Sequence, residues 1–176
     1  MEEIEVSTVV YLAPEDVYEF LVDFPRYANY SEHLRSVDRE GDGSPGTDYH
    51  LTFSWWKLTY TAHTRVTDVD PPRRIDWAVV RDLDATGHWA VEPAPESARS
   101  EDEPASRVRF HISFRPESAD PTGLDLPRFV PVDRIIQRVT PVVQREAERV
   151  VRRIVADLEG EARSVDLEIH ARPSDA

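Results

Sequence analysis

Residues 49–66 read YHLTFSWWKLTYTAHTRV. On either side of Trp56 and Lys57 apolar and polar residues alternate: Tyr49, Leu51, Phe53 and Trp55 before, then Leu58, Tyr60, Ala62, Thr64 and Val66 after. A period of two with one apolar face is the pattern of a half-buried strand. Two such runs around a two-residue break form an antiparallel hairpin. A hairpin centred on Trp56-Lys57 sets His50 opposite His63 on the polar side, with Thr52, Thr61 and Arg65.

The same period extends in both directions. Ile4, Val6, Thr8, Val10 and Leu12 alternate with Glu3, Glu5 and Ser7, predicting a first strand. Pro14-Glu15-Asp16 then opens a helix, with proline at its first position and acids at its positive end. Val17, Phe20, Leu21 and Phe24 form its apolar face, and Pro25 ends it. A second short helix is expected over Arg26–His33. Leu34–Glu40 is a short strand followed by the turn Gly41-Asp42-Gly43-Ser44-Pro45-Gly46. Beyond the hairpin, Ile75, Trp77 and Val79, then Trp89 and Val91, then Val108, Phe110, Ile112 and Phe114 continue an antiparallel meander. The acidic loop 94–105 is expected to be mobile and solvated.

Residues 116–131 form a proline-rich connector, and one long amphipathic helix runs from there to about Glu159. Ile135, Ile136, Val139, Val143, Ala147, Val150, Ile154 and Leu158 make its apolar stripe. Arg134, Arg138, Arg145, Arg149 and Arg152 lie opposite, and Pro141 kinks or splits the helix. Val165, Leu167 and Ile169 alternate again and are a candidate edge strand.

Composition bounds the rest. The 176 residues fit one domain. There is no cysteine, so no disulfide, thiolate metal site or cysteine nucleophile exists. No apolar run is long enough to span a membrane. The acidic N-terminus shows no secretory signal, and a cytoplasmic location is expected. Asp and Glu number 34 against 21 Lys and Arg, a net charge of −13, and Lys57 is the only lysine. Self-repulsion at that charge is largely screened at molar salt. The first reading is therefore a salt-rich cytoplasm such as a halophilic archaeon's, the alternative a GC-rich genome. An anionic surface disfavours DNA binding.

Several stretches carry a resemblance. Leu12-Ala13-Pro14-Glu15-Asp16-Val17-Tyr18-Glu19-Phe20-Leu21-Val22-Asp23, Phe24-Pro25-Arg26-Tyr27, Val66-Thr67-Asp68-Val69-Asp70-Pro71-Pro72-Arg73-Arg74-Ile75 and Gly87-His88-Trp89-Ala90-Val91-Glu92-Pro93 resemble successive elements of the START-like (SRPBCC) superfamily. The resemblance covers roughly residues 2–160. It is nearest to the polyketide cyclase/dehydrase-like and coenzyme Q-binding-like branches. It implies an α+β helix-grip fold: a curved antiparallel sheet of about seven strands and two short helices, wrapped on one long C-terminal helix. Residues 1–162 would form the domain and 163–176 a tail.

That fold implies an apolar cavity between sheet and helix, or equally a filled core. The expected ligand-binding residues are Tyr49, Phe53, Tyr60, Ala62, Thr64, Trp77, Trp89, Phe110 and Phe114 from the strands, with Val139 and Val143 from the helix. Ala62 and Gly87 are small gaps among large rings. The first functional reading is binding, transport or sequestration of a hydrophobic small molecule such as an isoprenoid, quinone or polyketide-like lipid. The alternatives are a cyclase or dehydratase with Tyr49 or Tyr60 as acid/base, and a ribosome- or protein-interaction module using the arginine stripe. Against the last, Glu148 and Arg152 form an i,i+4 pair typical of a solvent face. No cofactor is expected. His50 and His63 lack a third ligand, so no metal is expected either. Gly41–Gly46 matches G-x-G-x-x-G but precedes a strand pattern, which makes it a turn. No G-x-S-x-G, H-E-x-x-H or P-loop pattern occurs.

Overall fold

In the computed structural model every alternating run between residues 2 and 115 becomes a strand. The structure describes residues 2–23, 32–55, 58–115, 118, 145, 149, 152–157, 159–160 and 168–172. The strands are β1 Glu2–Val10, β2 Leu34–Glu40, β3 Asp48–Trp55, β4 Leu58–Asp70, β5 Arg74–Val79, β6 Asp84–Pro93, β7 Ser106–Arg115 and β8 Glu168–Arg172. They form one antiparallel sheet in the order β2-β3-β4-β5-β6-β7-β1-β8. The meander β2–β7 is thus extended by the first strand, which lies between β7 and β8. Alternation centred the last strand on 165–169, whereas its pairing with β1 covers 168–172, with Val6 opposite Ile169.

The deciding hairpin has the register its alternation requires, Trp55 opposite Leu58 and His50 opposite His63. Ahead of it, residues 41–46 turn the chain from β2 into β3. Gly43 sits at φ +95°, a left-handed conformation that glycine adopts without strain. Its N–H donates to Thr47 Oγ1 at 3.0 Å, and the Asp42 carboxylate accepts from the Ser44 N–H at 3.0 Å. A strand follows, so no helix N-terminus is present to hold a pyrophosphate.

Helix α1 spans Pro14–Val22 with proline in its first turn and Glu15 and Asp16 behind it. The Ala13 carbonyl accepts from the N–H groups of Asp16 and Val17. Val17, Phe20 and Leu21 are buried, as the spacing predicts. The helix stops two residues short of Phe24, where the Asp23 N–H donates to Phe20 O instead. Of the expected second short helix, residues 26–31 lie outside the described residues, and Glu32 and His33 are not helical; the connector, Ser118 excepted, and Pro141 also lie outside them.

Two expectations shift. Loop 94–105 is solvent-exposed at Glu101 and Asp102, but its ends are not. Ala94 and Ala105 are buried and joined by a 2.8 Å backbone hydrogen bond, which closes the loop at its base. Within it Arg99 pairs with Glu103 and stacks 4.1 Å from the Tyr11 ring centre. Toward the C-terminus, residues 145, 149, 152–157 and 159 are helical, and Arg145, Arg149 and Arg152 are exposed as expected. The core position, however, is Val155, 1% exposed, rather than the half-buried Ile154. One residue is about 100° of helix rotation, and the other positions of the expected stripe lie outside the described residues. Val155 packs with Val10, Val17, Leu21, Tyr49, Val66, Ile75, Val91 and Val108 to form the core.

The inner face of the sheet as candidate ligand site

Strand register puts the expected site residues on one face. Phe53 lies opposite Tyr60, Tyr49 opposite Thr64, Val66 opposite Trp77, Trp77 opposite Gly87, and Trp89 opposite Phe110. That face has two zones. In the first, Tyr49, Val66, Ile75, Val91 and Val108 are closed over by α1 residues and Val155. In the second, Leu51, Tyr60, Ala62, Thr64, Phe110, Ile112 and Phe114 are half-buried and Phe53 is 38% exposed. Half-covered apolar side chains on one face leave surface that a ligand could cover.

Tyr49 belongs to the closed zone, 2% exposed, and its hydroxyl donates to the Val22 carbonyl at the end of α1 at 3.4 Å. Burial, the largest influence, raises its pKa while Arg39 opposes the rise. Its phenol is therefore engaged in holding α1 to β3. Tyr60 lies in the open zone. Burial, reinforced by the negative charge of Asp82, holds its hydroxyl protonated above the ordinary tyrosine range. Of the two phenols named from the sequence, Tyr49 is buried and Tyr60 is half-buried.

Trp77 spans the boundary and is 9% exposed. A Cβ on Gly87 would stand 2.3 Å from Trp77 Cζ2, so the indole occupies the space the glycine leaves. The gap expected at Gly87 is thus filled by Trp77 and is no opening for a ligand. Phe110 stacks on this ring at 5.8 Å between centres and meets Trp89 at 4.8 Å, tilted by 57°. The three rings make a rigid aromatic floor. Val139 and Val143 lie outside the described residues.

The opposite face is polar and ion-paired. Asp48 holds Arg65 through two hydrogen bonds, at 2.7 and 3.1 Å, and approaches His63 Nε2 at 3.4 Å. The Arg65 guanidinium keeps that carboxyl down at about 2. His50 and His63 stack at 4.2 Å, and a second cross-strand pair, His88 and His111, at 5.0 Å. Among the described residues no group of three or more His, Asp or Glu is placed to hold a metal ion. Nor, among them, is any helix long and apolar enough to cross a membrane.

Residues 1–159 match the family model described as polyketide cyclase / dehydrase and lipid transport. The chain belongs to this family. Its solved neighbours agree on the fold. The Zhui aromatase/cyclase from Streptomyces sp. R1128 superposes with a TM-score of 0.65 at 17% identity, covering 90% of this chain and 94% of that one. A protein from Thermus thermophilus gives 0.64 at 15%, over 90% and 97%. The di-domain ARO/CYC StfQ from the steffimycin biosynthetic pathway gives 0.57 at 15%, over 90% of this chain but 51% of that one. No curated protein matches. The polyketide cyclase / dehydrase and lipid transport family thus accounts for the helix-grip sheet, and at these identities the neighbours speak for fold alone.

Sequence reading missed Val155 and the role of Gly87. The first had a signal, since Ala147, Val151 and Val155 follow at intervals of four. The second had none, because a lone glycine in a strand does not reveal which ring crosses it.

Proposed function

We propose that the protein binds a hydrophobic small molecule against the open zone of the inner sheet face, with the C-terminal segment on the other side. Phe53, Tyr60, Ala62, Thr64, Trp77, Trp89, Phe110 and Phe114 would line the sheet side, and Val139 and Val143 the helix side. The observation that carries this reading is the half-covered apolar zone from Phe53 to Phe114 beside a fully closed core. Membership of a family whose description joins cyclase / dehydrase with lipid transport supports the same class of ligand. An isoprenoid, quinone or polyketide-like molecule fits an apolar bed with few hydroxyls. The test is organic extraction of protein purified at high salt, followed by mass spectrometry. A co-purifying lipid or quinone near one per chain is the expected result. An empty protein that also takes up no added apolar ligand overturns the reading.

A second reading is favoured by the position of Tyr60: its phenol stands on the half-covered part of the inner face and stays protonated there, so it can donate a hydrogen bond to a ligand oxygen in a cyclase- or dehydratase-type reaction. Tyr60→Phe separates the two. Under the binding reading, affinity changes less than about threefold and no turnover is at stake. Under the enzymatic one, binding survives while turnover falls by about 10²-fold or more.

A further inference from the structure

Among the described residues three buried side-chain nitrogens lack a hydrogen-bond partner: His63 Nε2, Arg109 Nε and Trp77 Nε1. The first two lie on the outer face beside carboxylates, His63 at 3.4 Å from Asp48, and Arg109 at 3.5 Å from Glu5 and 3.9 Å from Glu92. Trp77 is different. Its indole N–H is a pure donor, it is nine-tenths buried on the inner face, and its neighbours across the strands are Val66 and Gly87. Phe110 stacks on the ring. None of these offers a side-chain acceptor. The ring is also held in place, since Gly87 receives its benzo edge and Phe110 its face. Native proteins pair most buried donors, so each one left unpaired calls for an explanation, a missing partner among them.

We propose that the Trp77 indole N–H is the polar recognition point of the inner face, selecting ligands that carry an acceptor oxygen, such as a ring carbonyl, on an otherwise apolar frame. This rests on the reading of that face as a ligand site. An apolar surround strengthens a single hydrogen bond and penalises a ligand that leaves the donor unpaired. Hydrocarbon and carbonyl ligands of the same shape are then distinguished at this one atom. Tyr60 and Thr64 add hydroxyls in the open zone, but these rotate and both donate and accept, so they discriminate less.

The test compares 9-fluorenone with fluorene, which share a ring frame and differ by one carbonyl, by titration calorimetry against the intact chain. The wild type is expected to bind fluorenone about tenfold more tightly. Trp77→Phe keeps an aromatic ring without the N–H, and should bring fluorenone to within about twofold of fluorene, whatever change the smaller ring makes to both affinities alike. A second readout uses the wild type alone. The Trp77 indole proton, followed by ¹⁵N-edited NMR, should move downfield with fluorenone and not with fluorene, which decides the matter even if the variant fails to fold. If both compounds bind equally and the indole proton does not respond, the inference falls and the ligand-site reading stands. If neither compound binds up to its solubility limit, the ligand-site reading falls and takes the inference with it.

Discussion

Trp77 and Gly87 act as one unit: the bare Cα of one strand receives the indole of the next. Gly87→Ala would press a methyl against Trp77 Cζ2 and the His111 carbonyl, the latter at 2.5 Å. Overpacking of this kind costs about 1–3 kcal/mol. The urea midpoint should fall accordingly, and an unchanged midpoint would mean that the ring is free to move. Titratable residues of the outer face set the pH response. Burial first, then Arg74 and His111, depress the His88 pKa below 6.5, while Asp76 and Glu5 oppose them. The unfolded chain therefore binds more protons than the native state below about 6.5, and stability falls as pH drops through that region. The Asp48 pKa is lowered from 3.8 to about 2, so its contribution is present above about 3.8 and is lost as pH falls toward 2. Urea midpoints across pH should decline in these two windows. His88→Gln should reduce the upper decline and leave the lower one.

Elements were legible wherever period and punctuation agreed. The hairpin of β3 and β4 follows from strict alternation around two residues, and α1 from a proline, two acids and an i, i+3, i+4 stripe. What the sequence did not reveal depends on contacts across the sheet. Alternation assigns Tyr49 and Tyr60 to the same face, yet only the three-dimensional position of α1 makes one a structural anchor and leaves the other in the open zone. Likewise Ala94 and Ala105 sit in an acidic, proline-rich stretch that reads as solvent, yet are buried where the two loop ends meet through a backbone hydrogen bond. Strand β8 gives β1 a second neighbour, with Glu3 opposite Arg172 and Ser7 opposite Glu168. Truncation after Gly160 should turn β1 into an open edge. Its amides should then exchange roughly tenfold faster while those of β4 hold. Equal exchange in both strands would show that β8 contributes nothing to β1.

For the molecule as a whole, the charge of −13 outweighs the local ion pairs. Exposed pairs such as Arg73–Asp70 and Arg74–Asp76 contribute about 0–1 kcal/mol each, and salt weakens them. The net acid excess is repulsive throughout, and raising ionic strength from 0.1 to 1 M shortens the screening length from about 10 to about 3 Å. The melting temperature should therefore rise between 0.1 and 2 M KCl, and a fall would show that the pairs dominate. The strand order has a kinetic consequence as well. Both partners of β1 lie far downstream, Phe110 and Ile169 facing Val6, so its pairing spans about 100 residues at the least. On a ribosome the meander β2–β6 has emerged before either neighbour of β1 exists. The first strand to be made is among the last to be paired, and until then a chaperone or a second nascent chain competes for its two open edges.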